Sequence, residues 1–480
     1  MKFRGKVIAR FKILEDMHPN TALENPKYSI PIALIWAQCI TFAMLYSVWA
    51  MREVMVFRRV ALVLGALMAL YPIYQCRSSF VKKTALPLWL LLGLFIWMTC
   101  HLYFFAQDYS AQLLEFQRIW KYAALGAIFA LGLGISLAST NQNKSYWTVI
   151  YLGICSPLLI YFVKYALTIY GPLAGFTPPD YLQVYALPVA YYIPKTDYVA
   201  FCLPALAVSL GQIYNLLRLN ARLSIRQYQA IAFNMLIVIA TMLLFYVQNT
   251  WNGIAYSVIC IGLFFVLALF KPPLVMQFWK KVLFVITTLI ISSAVLYGHI
   301  QSNPMWRTLW ADAKVGFQLD KYPQWKNGSG DKKYPANEFG QRVSPTTYER
   351  AAWLKAGFHL SSETPLGYGL IEDSFSAMAQ AKWPDVMELS HSHSGWLDLL
   401  LGIGAPGLLC VMASMILVIW RSRDMRYLRQ TFVFWTLTSN LLLWSTTEVS
   451  ATITFCLLIF WVALACGLTI IYPAPLKECN

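Results

Sequence analysis

Polar and apolar residues in this chain come in blocks rather than in alternation. Continuous apolar runs rich in Leu, Ala and Ile recur at about 29–50, 60–75, 84–106, 119–139, 147–169, 199–216, 228–248, 253–270, 282–299, 395–420, 431–447 and 450–472. A helix crosses a bilayer core with about 20 mostly apolar residues. A transmembrane barrel would instead show alternating segments of about ten. The blocks therefore predict an all-α integral membrane protein of about twelve transmembrane helices. One long polar stretch, 300–394, interrupts them before the tenth span. The chain thus divides into a first bundle (1–299), a large loop (300–394) and a second bundle (395–480). The first 28 residues are polar and basic with no apolar core, which predicts a retained first span rather than a cleaved signal peptide.

Composition agrees with the blocks. Hydrophobic residues make up 58% of the chain and charged residues 12%, against about 25% charged in soluble domains; mean hydropathy is +0.53. The net charge of +16 would suit nucleic acid if it formed one patch. Most of it instead sits on short connectors: the N-terminal arm (Lys2 to Lys27), Arg77-Lys82-Lys83, Arg218-Arg222-Arg226, Lys271-Lys280-Lys281 and Arg421-Arg423-Arg426-Arg429. Such connectors mark the cytoplasmic side, which speaks for a membrane protein and against a nucleic-acid partner. The segments 107–118, 170–198, 248–250 and 300–394 then lie outside. Arg52, Arg58 and Arg59 fall outside by parity, against the rule, and either snorkel to an interface or meet phosphate there. The ten cysteines form no CxxC pattern and read as small buried hydrophobes.

Within the large loop, Lys321 to Arg342 is turn-rich and reads as a flexible flap. Tyr348, Ala351, Ala352, Lys355, Ala356 and His359 fall at helical spacing before Pro365 to Gly369 ends the run. One or two helices against the outer face of the bundle are expected.

The chemistry concentrates where the loop meets the tenth span. His391 and His393, two of only six histidines, flank Ser392 there. Imidazole is the side chain that exchanges a proton near neutral pH at little cost. Metal binding is the alternative, with Asp385, Glu388 or Asp398 nearby. A catalytic zinc takes three protein ligands at recognisable spacing, and no such pattern is present, so no metal and no cofactor is expected. Gly402, Gly404 and Gly407 permit close helix packing or a kink. Arg350, on the predicted loop helix, either pairs with Glu349 or Glu363 or grips a phosphate oxygen with its planar fork; Arg342 and Arg307 are weaker candidates of that kind.

His393-Ser394, nine residues, then Gly404-x-x-Gly407 resembles the His-(Asn/Ser/Gln)-x9-Gly-x-x-Gly pattern of the O-antigen ligase family. Upstream, Arg350-x-x-Trp353 followed by Pro365-Leu366-Gly367-x-Gly369 is similar to that family's loop pattern. The wider superfamily includes O-antigen ligases, Wzy-type polymerases and pilin O-oligosaccharyltransferases, and these motifs do not separate its members. In one place the chain departs: such proteins commonly carry an Arg before a Gly at the outer start of a middle span, where this chain has Asn252-Gly253. Asn252 offers a hydrogen bond without charge, and Lys195 or Lys164 is the candidate substitute cation.

The resemblance implies metal-independent glycosyl transfer at the periplasmic face of a bacterial inner membrane. The donor would be a glycan on undecaprenyl pyrophosphate, and the acceptor a hydroxyl of lipid A–core, or a pilin. It gives His393 the role of base and Arg350 that of leaving-group stabiliser, with His391 and Ser394 orienting the imidazole or the acceptor. Basic loop residues (Lys314, Lys321, Lys332, Lys333) either meet phosphorylated core sugars or form a solvated surface. A lipid-linked sugar flippase is the rival from another class, but such transporters usually show inverted repeats and mid-membrane charges; here Lys164 and His101 lie towards span ends.

Overall fold

A computed structural model describes residues 29–140, 144–184, 191–219, 223–270, 305–327, 334–387, 389–425, 427–446 and 451–471, with isolated positions between 286 and 301. The basic N-terminal arm, most of the expected ninth span, Arg222, Lys271, Lys280, Lys281, Lys332, Lys333, Glu388, Arg426 and Cys479 lie outside the described residues.

The described apolar blocks are helices, with the short α4 lying between two of them: α1 Ile32–Val48, α2 Met55–Gln75, α3 Leu86–Phe104, α4 Tyr109–Glu115, α5 Lys121–Ala138, α6 Lys144–Tyr170, α7 Lys195–Leu219, α8 Ile225–Val247 and α9 Trp251–Phe270. After the loop come α13 Gly395–Ser422, α14 Leu428–Thr446 and α15 Cys456–Ile470. Among the described residues nine helices are long and apolar enough to cross a membrane. Every residue of α15 is buried, so the most apolar helix forms the bundle's centre. It packs on α5 through small residues, with a Cβ on Gly134 standing only 2.5 Å from the Leu464 carbonyl oxygen. Close backbone approach of this kind is how membrane helices gain dispersion contacts.

The structure sorts the connectors onto two ends. At one end the Arg421 guanidinium donates to the Thr84 and Lys83 carbonyls, Arg218 to the Asp424 carbonyl and Arg429 to that of Ala138. The expected cytoplasmic connectors thus share a face. At the other end the Arg52 amide reaches the Tyr192 carbonyl and the Arg59 guanidinium lies 5.1 Å from the Tyr122 ring. Arg58 and Arg59 belong to the first turn of α2 and not to a connector, because the helix starts at Met55. Arg58 donates to the Trp49 carbonyl at 2.7 Å.

The segment 107–118 corrects an expectation. From Tyr109 it is helix rather than loop, since Asp108 caps a helix by accepting from the Ala111 amide. The helix then runs through a π turn at Phe116–Trp120 as one 30-residue unit, Tyr109–Ala138. At 1.5 Å per residue that is about 45 Å, well beyond an apolar core of about 30 Å. Its first turns therefore project towards the large loop.

Among the described residues the loop holds three helices rather than one or two: α10 Met305–Gly316, α11 Pro345–Glu363 and α12 Ser374–Lys382. It also has its own small core, in which Trp325, Tyr348, Ala352, Trp353 and Phe375 pack with Leu397 and Leu401 of α13. The expected flap is partly built in. Trp325 and Tyr334 are core residues, and the fully buried Asp312 carboxylate accepts from Asn337 Nδ2 and the Ser344 amide. Polar composition hid this, since two aromatics and one carboxylate anchor the stretch.

Candidate active site

Three separate stretches meet: the turn 390–394, one face of α11 and the start of α9. The turn is tied to the helix it enters. Asp398 Oδ1 accepts from the Ser392 amide at 2.8 Å, and the Asp398 amide donates to the Ser394 carbonyl at 2.8 Å. Ser392 Oγ donates to that same carbonyl and accepts from the Ser394 amide. Ser394 itself is the N-cap of α13. Held between these bonds, His393 adopts φ +60°. A non-glycine residue there costs on the order of 1–3 kcal/mol and persists only where its surroundings fix it. Its ring lies nearly parallel to Trp353, at 5.1 Å between centroids and 17° between planes. The His391 ring stands edge-on to it at 4.4 Å, and His391 Nδ1 is bonded to Ser390 Oγ at 2.7 Å.

Trp353 and Arg350 are three residues apart on α11 and so share a face. Trp353 Nε1 donates to the Trp325 carbonyl, which fixes the plane beneath the imidazole. The Arg350 guanidinium lies 5.4 Å from the ring centre of Trp251, the first residue of α9. Asn252 follows, buried, its Oδ1 accepting from the Gly253 amide. The loop's arginine is thus brought to the point where the middle span begins. Both acids that the sequence offers as its partners are engaged elsewhere: Glu349 accepts from the Tyr334 hydroxyl at 2.5 Å, and Glu363 pairs with Lys382. Burial pushes the Glu349 carboxyl above the usual carboxylate range, while the Tyr334 hydroxyl pulls it part of the way back. Burial also raises the Tyr348 hydroxyl to about 12.

The glycine motifs interlock behind this cluster. At Gly404 (φ 67°, ψ 177°) α13 breaks its helical path, just before Pro406, which cannot donate to the ladder. The Pro365–Gly369 strip fills the break: the Tyr368 and Gly369 amides donate to the Leu401 and Gly402 carbonyls, and the Ala405 amide to that of Pro365. The expectation of packing or a kink resolves as a kink, at Gly404. Gly407 instead sits under the Ile403 side chain of its own helix. A second latch comes from α3 and α4. His101 is fully buried, with Nε2 3.2 Å from the Gly367 carbonyl and Nδ1 3.1 Å from Gln112 Nε2. The two contacts agree if Nε2 carries the proton and Nδ1 accepts. The Glu115 carboxylate accepts from the Ile371 amide at 2.6 Å and the Glu372 amide at 2.8 Å.

Of the residues singled out in the sequence, the fold assembles His391, His393, Ser394, Arg350, Trp353 and Asn252, with Pro365, Gly367, Gly369 and Gly404 as their support. Arg342 lies exposed over the Tyr334 ring at 5.3 Å, and Lys195 lies exposed at the first residue of α7. Neither joins the ring contacts of the cluster among the described residues. Lys164 donates to the Tyr191 carbonyl, and Arg307 to Gln301. Sequence reasoning passed over Trp251, Gln112 and Glu115 and gave His101 no role. The available signal was polar residues in and beside an apolar block, which are costly in a membrane and tend to be kept for a purpose. Among the described residues no three His, Cys, Asp or Glu side chains are grouped to hold a metal ion. What the cluster can do is accept a proton at an imidazole and stabilise an anion about one helical turn away.

No curated protein matches the chain. Residues 230–412 match the family model described as O-antigen ligase, a segment running from α8 to just past Gly407 and containing Asn252, Arg350, the Pro365–Gly369 strip and both histidines. By that match this segment, 230–412, is similar to the O-antigen ligase family.

Proposed function

We propose that this protein is an O-antigen ligase: it transfers a glycan from undecaprenyl pyrophosphate to a hydroxyl of lipid A–core at the periplasmic face of the inner membrane. The observation that carries the reading is the His393 imidazole stacked on Trp353, one turn of α11 from Arg350. In the transfer, the acceptor oxygen forms a bond to the anomeric carbon as the bond from that carbon to the pyrophosphate breaks. The acceptor's proton passes to the His393 imidazole, and the lipid pyrophosphate leaves with the bonding electrons. A positioned base contributes about 10²–10⁴-fold. The charge gained by the leaving pyrophosphate is met by the guanidinium of Arg350, a donor fork suited to phosphate, so no metal is required. Asn252, beside Trp251, offers a neutral hydrogen bond at the same place. The large loop would then be the periplasmic element, and the basic connectors at the opposite end the cytoplasmic ones.

The test is transfer by purified protein from undecaprenyl-pyrophosphate glycan to lipid A–core. His393→Ala should insert at normal abundance and transfer at least about 10²-fold more slowly. Wild-type rates in His393→Ala would remove the base, and loss of activity on strong chelation would bring back a metal.

A further inference from the structure

Beside the histidines lies a cavity of about 180 Å³, between the start of α12 and the turn into α13. Its polar lining is Glu372, Asp373, Ser374, Ser390, His391 and Asp398, with Ile371 and Phe375 as its apolar wall. Among the described residues its lining carries three carboxylates and neither lysine nor arginine. Two ligand classes fail on chemistry. A phosphate or pyrophosphate would meet the like charge of the lining carboxylates. A divalent cation needs convergent ligands, and no such grouping exists among the described residues.

A hydroxyl-bearing sugar does fit. Its hydroxyls donate and ionised carboxylates accept, giving hydrogen bonds stronger than neutral ones. The volume is below the about 300–1,000 Å³ of pockets for drug-sized ligands, which suits on the order of one sugar ring. The wall is held from behind, since Glu115 accepts from the Ile371 and Glu372 amides. His391 connects the cavity to chemistry, lining it while its ring contacts that of His393 at 4.4 Å.

We infer that this cavity is the acceptor subsite and takes a single unphosphorylated sugar ring, held through its hydroxyls by Glu372 and Asp373 and presented by His391 to His393. The inference rests on the glycosyl-transfer reading for the word acceptor, and on the cavity alone for the class of ligand. It divides the site by charge. The pyrophosphate of the donor lies on the Arg350 side and the acceptor ring on the acidic side, with the two imidazoles between. Phosphates elsewhere on the acceptor stay outside the cavity.

The experiment separates the two readings by measuring binding without turnover. The purified full chain in detergent is titrated with methyl α-glucoside and with glucose 6-phosphate, followed by saturation-transfer NMR. The wild type should bind the neutral glycoside and discriminate against the phosphate. The Glu372→Gln/Asp373→Asn double variant should weaken glycoside binding at least about tenfold, the worth of one charge-assisted hydrogen bond, and should lose the discrimination. The subsite is overturned if the wild type fails to bind the glycoside, if it binds glucose 6-phosphate as well, or if the double variant binds like the wild type. Should the binding pattern hold while the wild type transfers no glycan to lipid A–core, the ligase reading falls and the sugar site stands.

Discussion

Gly367 and Gly404 meet backbone to backbone. A Cβ on Gly367 would stand 2.4 Å from the Gly404 amide nitrogen, and one on Gly404 would stand 2.1 Å from the Leu366 carbonyl oxygen. Both residues are in the positive-φ region, at 88° and 67°. The two motifs are therefore one joint, and it fixes the angle at which α13 leaves the loop with the histidines at its start.

Alanine at either glycine adds a clash to an unfavourable backbone conformation, itself worth on the order of 1–3 kcal/mol. Gly367→Ala and Gly404→Ala should each lower the thermal unfolding midpoint in detergent and abolish glycan transfer. Gly262→Ala, where a Cβ meets nothing within 4 Å, should leave both unchanged. An unaltered midpoint in Gly404→Ala would show that the joint yields.

Arg350 should not be replaceable by lysine. Its guanidinium lies against the Trp251 ring, and a planar fork can face an aromatic ring and a phosphate together, whereas an ammonium is a point charge. Arg350→Lys should retain abundance and lose at least about tenfold in transfer, the scale of one such hydrogen bond. Wild-type transfer in Arg350→Lys would reduce the role of Arg350 to charge alone.

Glu115 touches no reacting group in this reading, and it positions the cavity wall through the Ile371 and Glu372 amides. Hydrogen bonds to a charged group are worth about 1.5–3 kcal/mol. Glu115→Gln should raise the acceptor KM several-fold while kcat and donor KM hold, and Glu115→Asp should restore part of the loss. A parallel fall in kcat and abundance would mark a role in stability only.

The loop should lose stability as pH rises. Burial lifts the folded Glu349 carboxyl above its unfolded value of about 4.3. A group raised in the folded state contributes fully below the unfolded pKa, and its contribution is lost as pH rises through the folded one. Glu349→Gln keeps a carbonyl for the Tyr334 hydroxyl and removes the titration. Its unfolding midpoint between pH 4 and 7 should be flatter than that of the wild type, and equal slopes would contradict the assignment.

Much of this architecture was legible in the chain. Eleven of the twelve apolar blocks became α1 to α3, α5 to α9 and α13 to α15 within a few residues, the ninth lying outside the described residues, because a bilayer core demands a long apolar run wherever a helix crosses it. The positions of His391, His393, Arg350, Trp353 and the glycines were legible too, since spacing alone carries them. The segment 107–118 was misread because its polar residues suggest a loop, whereas Asp108 caps a helix that outruns the membrane. The flap was misread because a turn-rich composition says nothing of where Trp325 and Tyr334 pack.

By itself, then, the sequence determined the membrane class, the connectors that carry charge and the residue types able to move a proton and hold a phosphate. Those properties are local: hydropathy over a window, charge over a segment, spacing over a motif. Only the tertiary structure decided that Arg350 meets Trp251 at the middle span, that Gly367 seats in the break at Gly404, and that Glu372, Asp373 and Asp398 enclose one cavity beside His391. Each of these joins positions distant in the chain, and one-dimensional pattern carries no information on which distant groups share a point in space.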